Sequence, residues 1–106
     1  DAANLAKLLA ALAGIEPESR RARFRCVIAF VRAADDPHPI FGTGRWEGII
    51  LTAPRGTGGF GYDPVFAPLD AAGASVAELE AARKHAASHR GQALRDLLQR
   101  LPRAVP

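Results

Sequence analysis

Leu5, Leu8, Leu9 and Leu12 recur at i, i+3, i+4 and i+7, which predicts an amphipathic helix near the start of the chain. Asp1 or Asn4 is placed to cap it, and Gly14 followed by Pro17 marks its end. Residues 22 to 32 switch to a two-residue period, with Phe24, Cys26, Ile28 and Phe30 on one face and Val27, Ala29 and Val31 on the other. A strand apolar on both faces is expected inside a sheet rather than at its edge. Residues 35 to 39 read as a turn. A second strand is expected over 40 to 52, and Gly42, Gly44 and Gly48 within it predict bulges or the close approach of another backbone. Residues 53 to 61 read as a glycine-rich loop, 63 to 66 as the start of a further extended segment, and 68 to 73 as a turn. Ser75 is placed to cap a short helix ending near Leu79. A last helix is expected from about 80 to 101, with Leu94, Leu97, Leu98 and Leu101 as its stripe and Pro102 as its stop. Helices alternating with strands predict an α/β fold, a mixed β-sheet flanked by helices.

Composition narrows the class. At 106 residues the chain amounts to a single domain or half-domain over 1–106, with 48% hydrophobic and 24% charged residues, which excludes a disordered segment. No apolar run approaches the ~20 residues that span a bilayer, so no membrane role is expected. The single cysteine, Cys26, excludes an internal disulfide and fits a reducing cytoplasm. A net charge of +3 suits a polyanionic partner, whether nucleic acid, a membrane surface or a nucleoside triphosphate, but the basic residues are dispersed, which favours solvated charge and compositional bias over a nucleic-acid patch.

The residues richest in chemistry are Thr57-Gly58-Gly59-Phe60-Gly61-Tyr62-Asp63-Pro64-Val65-Phe66 and, downstream, Ser88-His89-Arg90-Gly91. Phe60 amid glycines is a candidate platform for a flat base, or else a core phenylalanine. Tyr62 is a second wall or a packed ring with a wet hydroxyl. Asp63 can accept from a ring N–H or turn back on its own backbone. Ser88, His89 and Arg90 offer a hydroxyl, an imidazole and a guanidinium to carbonyl or phosphate oxygens, or else form helix-end and surface contacts. Lys84 lies one helical turn before Ser88. Arg55 is able to steer phosphates or to brace the loop. Zinc motifs and a phosphate loop ending in lysine are absent, His38, His85 and His89 lack ligand spacing, and Cys26 sits in a strand pattern unsuited to a nucleophile.

Together these segments resemble the inosine triphosphate pyrophosphatase family, also described as dITP/XTP pyrophosphatases. Its members carry a GFGYDP(V/I)F-type segment and then a K-x-x-x-SHRG-x-A-L-type segment, here Lys84-His85-Ala86-Ala87-Ser88-His89-Arg90-Gly91-Gln92-Ala93-Leu94. Ala22-Arg23-Phe24, Gly44 and Gly48 around Trp46-Glu47, and Pro54-Arg55-Gly56 extend the resemblance over nearly the whole chain, although Arg83 and His85 beside Lys84 depart from the usual acid and Lys-Asn. The resemblance implies the carboxy-terminal portion of such a fold, without the amino-terminal half that holds the catalytic and metal-binding groups. It implies hydrolysis of inosine, deoxyinosine and xanthosine triphosphates to monophosphate and pyrophosphate, with Phe60, Gly61, Tyr62, Asp63, Lys84, Ser88, His89 and Arg90 binding the substrate in one purine-shaped cleft. No catalytic or metal-ligating residue is expected in this chain; Mg²⁺ would be held by the missing half, and the fragment alone would hydrolyse little. A cytoplasmic homodimer is the form the resemblance suggests. The alternative from the residues themselves is a small basic nucleotide- or RNA-binding module without catalysis.

Overall fold

The computed structural model describes residues 2–104, with side chains as far as residue 101. Its elements follow in the order α1 (Ala2–Ala11), β1 (Arg21–Phe30), β2 (Ile40–Ile50), β3 (Phe66–Pro68), α2 (Ala81–Ala87) and α3 (His89–Ala104), with short 3-10 turns at Pro17–Ser19, Asp63–Val65 and Val76–Glu78. The strands form one sheet in the order β1-β2-β3. β2 pairs antiparallel with β3, Gly48 opposite Pro68 and Ile50 opposite Phe66. The architecture is the α/β one expected, a sheet with helices. The chain divides into two compact units. One comprises the residues up to Arg23 with Glu47–Lys84, the other Phe24–Trp46 with the residues from His85 onward.

In the first unit Ile50, Val65, Phe66, Ala67, Ala71, Val76 and Ala77 form the buried core. Arg20 is buried as well, and its guanidinium donates to the carbonyls of Leu12 at 2.6 Å, Ile50 at 2.6 Å and Leu51 at 2.8 Å. A buried cation is tolerated when its donors are taken up in this way. It ties the chain after α1 to the end of β2. Leu5, Leu8 and Leu9 are the half-buried positions of α1, and Leu12, just past its end, is half-buried too, as their spacing predicts. The cap expected at Asp1 lies outside the described residues. Asn4 stands inside α1 rather than at its start.

In the second unit Trp46, Ala93 and Leu97 are buried. The glycines of β2 explain how α3 reaches the strand: a Cβ on Gly42 would strike the Ala93 carbonyl and Leu97, and one on Gly44 the His89 carbonyl and Gln92. Close approach is the reason for them. So near a contact selects the face of α3 that bears small Ala93. The leucine stripe is accordingly displaced, with Leu94 at 50% and Leu98 at 54% exposure. Side chains of α3 also bond the strand. Thr43 N–H donates to the Asp96 carboxylate at 2.9 Å, Arg45 N–H to Gln92 Oε1 at 3.3 Å, and Gln92 Nε2 to the Arg45 carbonyl at 2.7 Å.

Several expectations are corrected. β1 lies at the edge of the sheet and alternates exposed and half-buried positions. Arg21, Arg23 and Arg25 share the face of Val27, and that face is the wet one. Residues 63 to 65 form a 3-10 turn, with extension beginning at Phe66. Ser75 heads a 3-10 turn rather than a helix; Glu78 accepts its N–H at 2.9 Å while its hydroxyl donates to the Arg55 carbonyl at 2.6 Å. The last helix is two helices, broken at Ser88. α3 runs on through Pro102, whose fixed φ is compatible with helix even though it donates no hydrogen bond.

Two tests follow from this packing. Gly42→Ala overpacks the contact with α3 and should cost about 1–3 kcal/mol in urea unfolding, whereas Gly14→Ala, with open space around it, should show only the ~1 kcal/mol expected of its positive φ. Two carboxyls also titrate low. Asp36 is held well below the ordinary 3.8 by the Arg32 guanidinium first, then by the N–H groups of Arg32 and His38. Asp96 is held below 3.8 by the Thr43 N–H first, with Arg100 assisting. A lowered folded-state value means that the unfolded chain binds more protons in acid. This stabilisation is therefore complete above the ordinary value and disappears as pH falls through the folded ones. The urea midpoint should stay level down to pH ~5 and drop below pH ~4, with a shallower drop in Asp36→Asn and Asp96→Asn.

Candidate functional site

The glycine-rich loop is held from several sides. Arg55 donates its N–H to Pro64 at 2.9 Å and Nη1 to the Gly73 carbonyl at 3.2 Å, and its guanidinium meets Glu78 at 3.4 Å. Gly58 N–H reaches the Ala77 carbonyl at 3.2 Å. Arg55 is thus the brace of this loop, the second of its two sequence readings. Ser75, whose hydroxyl holds the Arg55 carbonyl, is a contributor that the pattern of residues did not disclose.

At the end of the loop the chain turns around Asp63. Its side chain is 10% exposed, and Oδ2 accepts the Phe60 N–H at 3.0 Å and the Lys84 ammonium at 2.7 Å. Gly59, at φ +72°, has no room for a Cβ beside this carboxylate. Lys84, on α2 and 20% exposed, also lies 4.5 Å from the centre of the Phe60 ring. The ring itself is 63% exposed. The result is an aromatic slab in water, with a cation at its face and a nearly dry carboxylate at its base. Each part holds another, since the cation neutralises the acid and is drawn to the negative face of the ring. Gly61 follows at φ +60°, and Tyr62, 40% exposed, contributes its carbonyl to the turn through the N–H groups of Val65 and Phe66.

The second unit holds Ser88, His89 and Arg90. The Ser88 hydroxyl accepts the Gly91 N–H at 3.0 Å and its carbonyl the Gln92 N–H at 2.9 Å, so Ser88 is the N-cap of α3. Of its two sequence readings, the local one describes this geometry. His89 and Arg90 become the first residues of the helix, at the positive end of its dipole. The His89 imidazole lies flat on the Phe24 ring, centroids 4.8 Å apart and planes 14° from parallel. Arg90 is exposed. Phe24 is a neighbour of the site that sequence reasoning left without a role.

Phe60, Asp63 and Lys84 are therefore brought together in one unit, and Ser88, His89 and Arg90 in the other. Among the described residues no group of three or more His, Cys, Asp or Glu side chains is arranged to hold a metal ion. No helix among them is long and apolar enough to cross a membrane.

Residues 1–100 match the model of the Ham1 family. A dITP/XTP pyrophosphatase of Ralstonia nicotianae is 54% identical over 101 residues, 95% of this chain and 49% of that protein. The dITP/XTP pyrophosphatase of Idiomarina loihiensis is 50% identical over 95% of this chain and 50% of its own length. Among solved structures, a HAM1 protein from Coxiella burnetii superposes with a TM-score of 0.86 at 43% identity, covering 96% of this chain and 51% of that one. The Staphylococcus aureus Ham1 protein gives 0.82 at 34% identity, covering 98% of this chain and 51% of its own. The chain spans about half the length of the curated relatives it matches.

The Asp63–Lys84 pair is largely withdrawn from water, so removing one partner should be costly. Lys84→Ala is expected to lower stability by on the order of 2 kcal/mol in urea unfolding. It should also expose the loop around Phe60 to limited proteolysis, whereas Lys7→Ala on α1 should do neither.

Proposed function

We propose, for a chain that belongs to the Ham1 family, that it supplies the base-recognition part of a dITP/XTP pyrophosphatase. The whole enzyme would cleave inosine, deoxyinosine and xanthosine triphosphates between the α- and β-phosphates, releasing monophosphate and pyrophosphate. The observation that carries this reading is the cluster at Asp63, in which an exposed ring, a nearly buried carboxylate and a cation are fixed to one another.

In this reading the purine lies on Phe60, with Gly61 leaving the approach open and Tyr62 beside it. A carboxylate has about four acceptor positions, so Asp63 retains room for the ring N–H of a 6-keto purine besides its two present donors. Lys84 holds that carboxylate in place through their ion pair. His89 and Arg90, set by the Ser88 cap, are proposed as the donors to the 6-oxygen on the strength of the family resemblance of their segment. Adenine carries an amino group there and would meet donor with donor. A site built to hydrogen-bond its ligand rejects such an analogue more strongly than a shape-selective pocket does.

Bound Mg²⁺ would supply charge neutralisation for the phosphates. The acids that hold it, and the group that activates water, are assigned to the half of the relatives' length that this chain does not span. A homodimer in the cytoplasm completes the proposal.

Calorimetric titration with inosine triphosphate and with ATP tests the base-reading role directly. The expected result is weak binding with a preference of about tenfold or more for inosine triphosphate, abolished in Asp63→Asn. Equal affinity for the two bases would instead identify a stacking module indifferent to position 6.

A further inference from the structure

Phe24 stands in β1 at a half-buried position, its ring stacked on the His89 imidazole at 4.8 Å and 14°. His89 has its backbone fixed by the Ser88 cap, but a cap does not fix a side chain. The terminal torsion of an imidazole is broad, and the ring carries a donor nitrogen and an acceptor nitrogen when neutral. A donor discriminates between a carbonyl and an amino group only if it is held where that group will be. An imidazole that tilts carries its donor away from that position, and selectivity then falls even though binding survives. The flat contact with Phe24 opposes that tilt. Strand and helix each contribute one ring, so the plane of the imidazole is set by two regular elements rather than by a loop.

We propose that Phe24 is a positioning residue for base selection, acting through His89 and making no contact with the nucleotide itself. This rests on the reading of His89 as a donor to the 6-oxygen. Stacked aromatic pairs are stabilised beyond their buried area. That extra attraction is enough to hold a ring whose alternative orientations cost little.

The test compares affinity for inosine triphosphate with affinity for ATP in the native chain, Phe24→Leu, Phe24→Tyr, His89→Ala and the Phe24→Leu/His89→Ala double variant. Phe24→Leu should reduce the preference by about tenfold while leaving ATP binding nearly unchanged. The double variant should lose no more than His89→Ala alone, and Phe24→Tyr should keep the preference. The ratio of the two affinities is the readout that packing alone would not move, since lost packing weakens both nucleotides alike. Proton NMR checks the stack itself: the His89 ring protons should be shifted upfield in the native chain and in Phe24→Tyr, and the remaining spectrum should be preserved in Phe24→Leu. Equal weakening for both nucleotides in Phe24→Leu, additive losses in the double variant, or a folded Phe24→Tyr without preference would overturn the role. A native chain that prefers neither nucleotide would instead overturn the base-reading function, an outcome distinct from a native preference that Phe24→Leu leaves intact.

Discussion

The carboxylate of Asp63 sits almost out of water, and a charge in that position must be neutralised and hydrogen-bonded. The ways in which this is achieved account for the residues around it. Lys84 is drawn in from α2, the Phe60 N–H is turned toward the acid, and Gly59 must be glycine because the carboxylate occupies the space of a side chain. Phe60 is then left pointing into solvent with a cation at its face. An exposed phenylalanine on a glycine-rich loop would ordinarily be mobile. Here its backbone and one face of its ring are both held, so the stacking proposed for it would need little further ordering.

The second unit solves a different problem with comparable economy. α3 lies so near β2 that only glycine fits at positions 42 and 44, and the helix must begin at a defined residue for its small side chains to meet those gaps. Ser88 fixes that beginning by capping the helix. His89 and Arg90 consequently occupy the first turn, where the helix dipole favours electron-rich ligand atoms. The polar residues of this segment owe their positions to packing several residues further along the chain.

Much of this was legible in the sequence. The leucine spacing of α1, the strand periodicity of β1, and the glycine signal for close approach in β2 all carry over, because each depends on local geometry. What failed depended on neighbours. Val27, Ala29 and Val31 make β1 read as an interior strand, yet Arg21, Arg23 and Arg25 share their parity and the sheet leaves that face wet. The break at Ser88 was hidden by continuous helical propensity and revealed only by a hydroxyl that caps its own backbone. Leu94 and Leu98 mislead for a similar reason, since the burying face was chosen by glycines fifty residues earlier. At the site, Asp63, Lys84 and Phe60 were recognisable as candidates. The ion pair that joins them, and the stacking of Phe24 on His89, are long-range contacts that no spacing rule reports.

β2 shows what side chains can do in place of a strand. β3 is only three residues long and pairs with the far end of β2, at residues 48 to 50. Further back, the amide of Gln92 satisfies both the N–H and the carbonyl of Arg45, and Asp96 takes the N–H of Thr43. Those backbone groups would otherwise form a ready template for an incoming extended segment. With α3 occupying them, a misfolded copy or a foreign peptide finds nothing there to zip onto, and this border of the sheet is guarded against fibril-like growth.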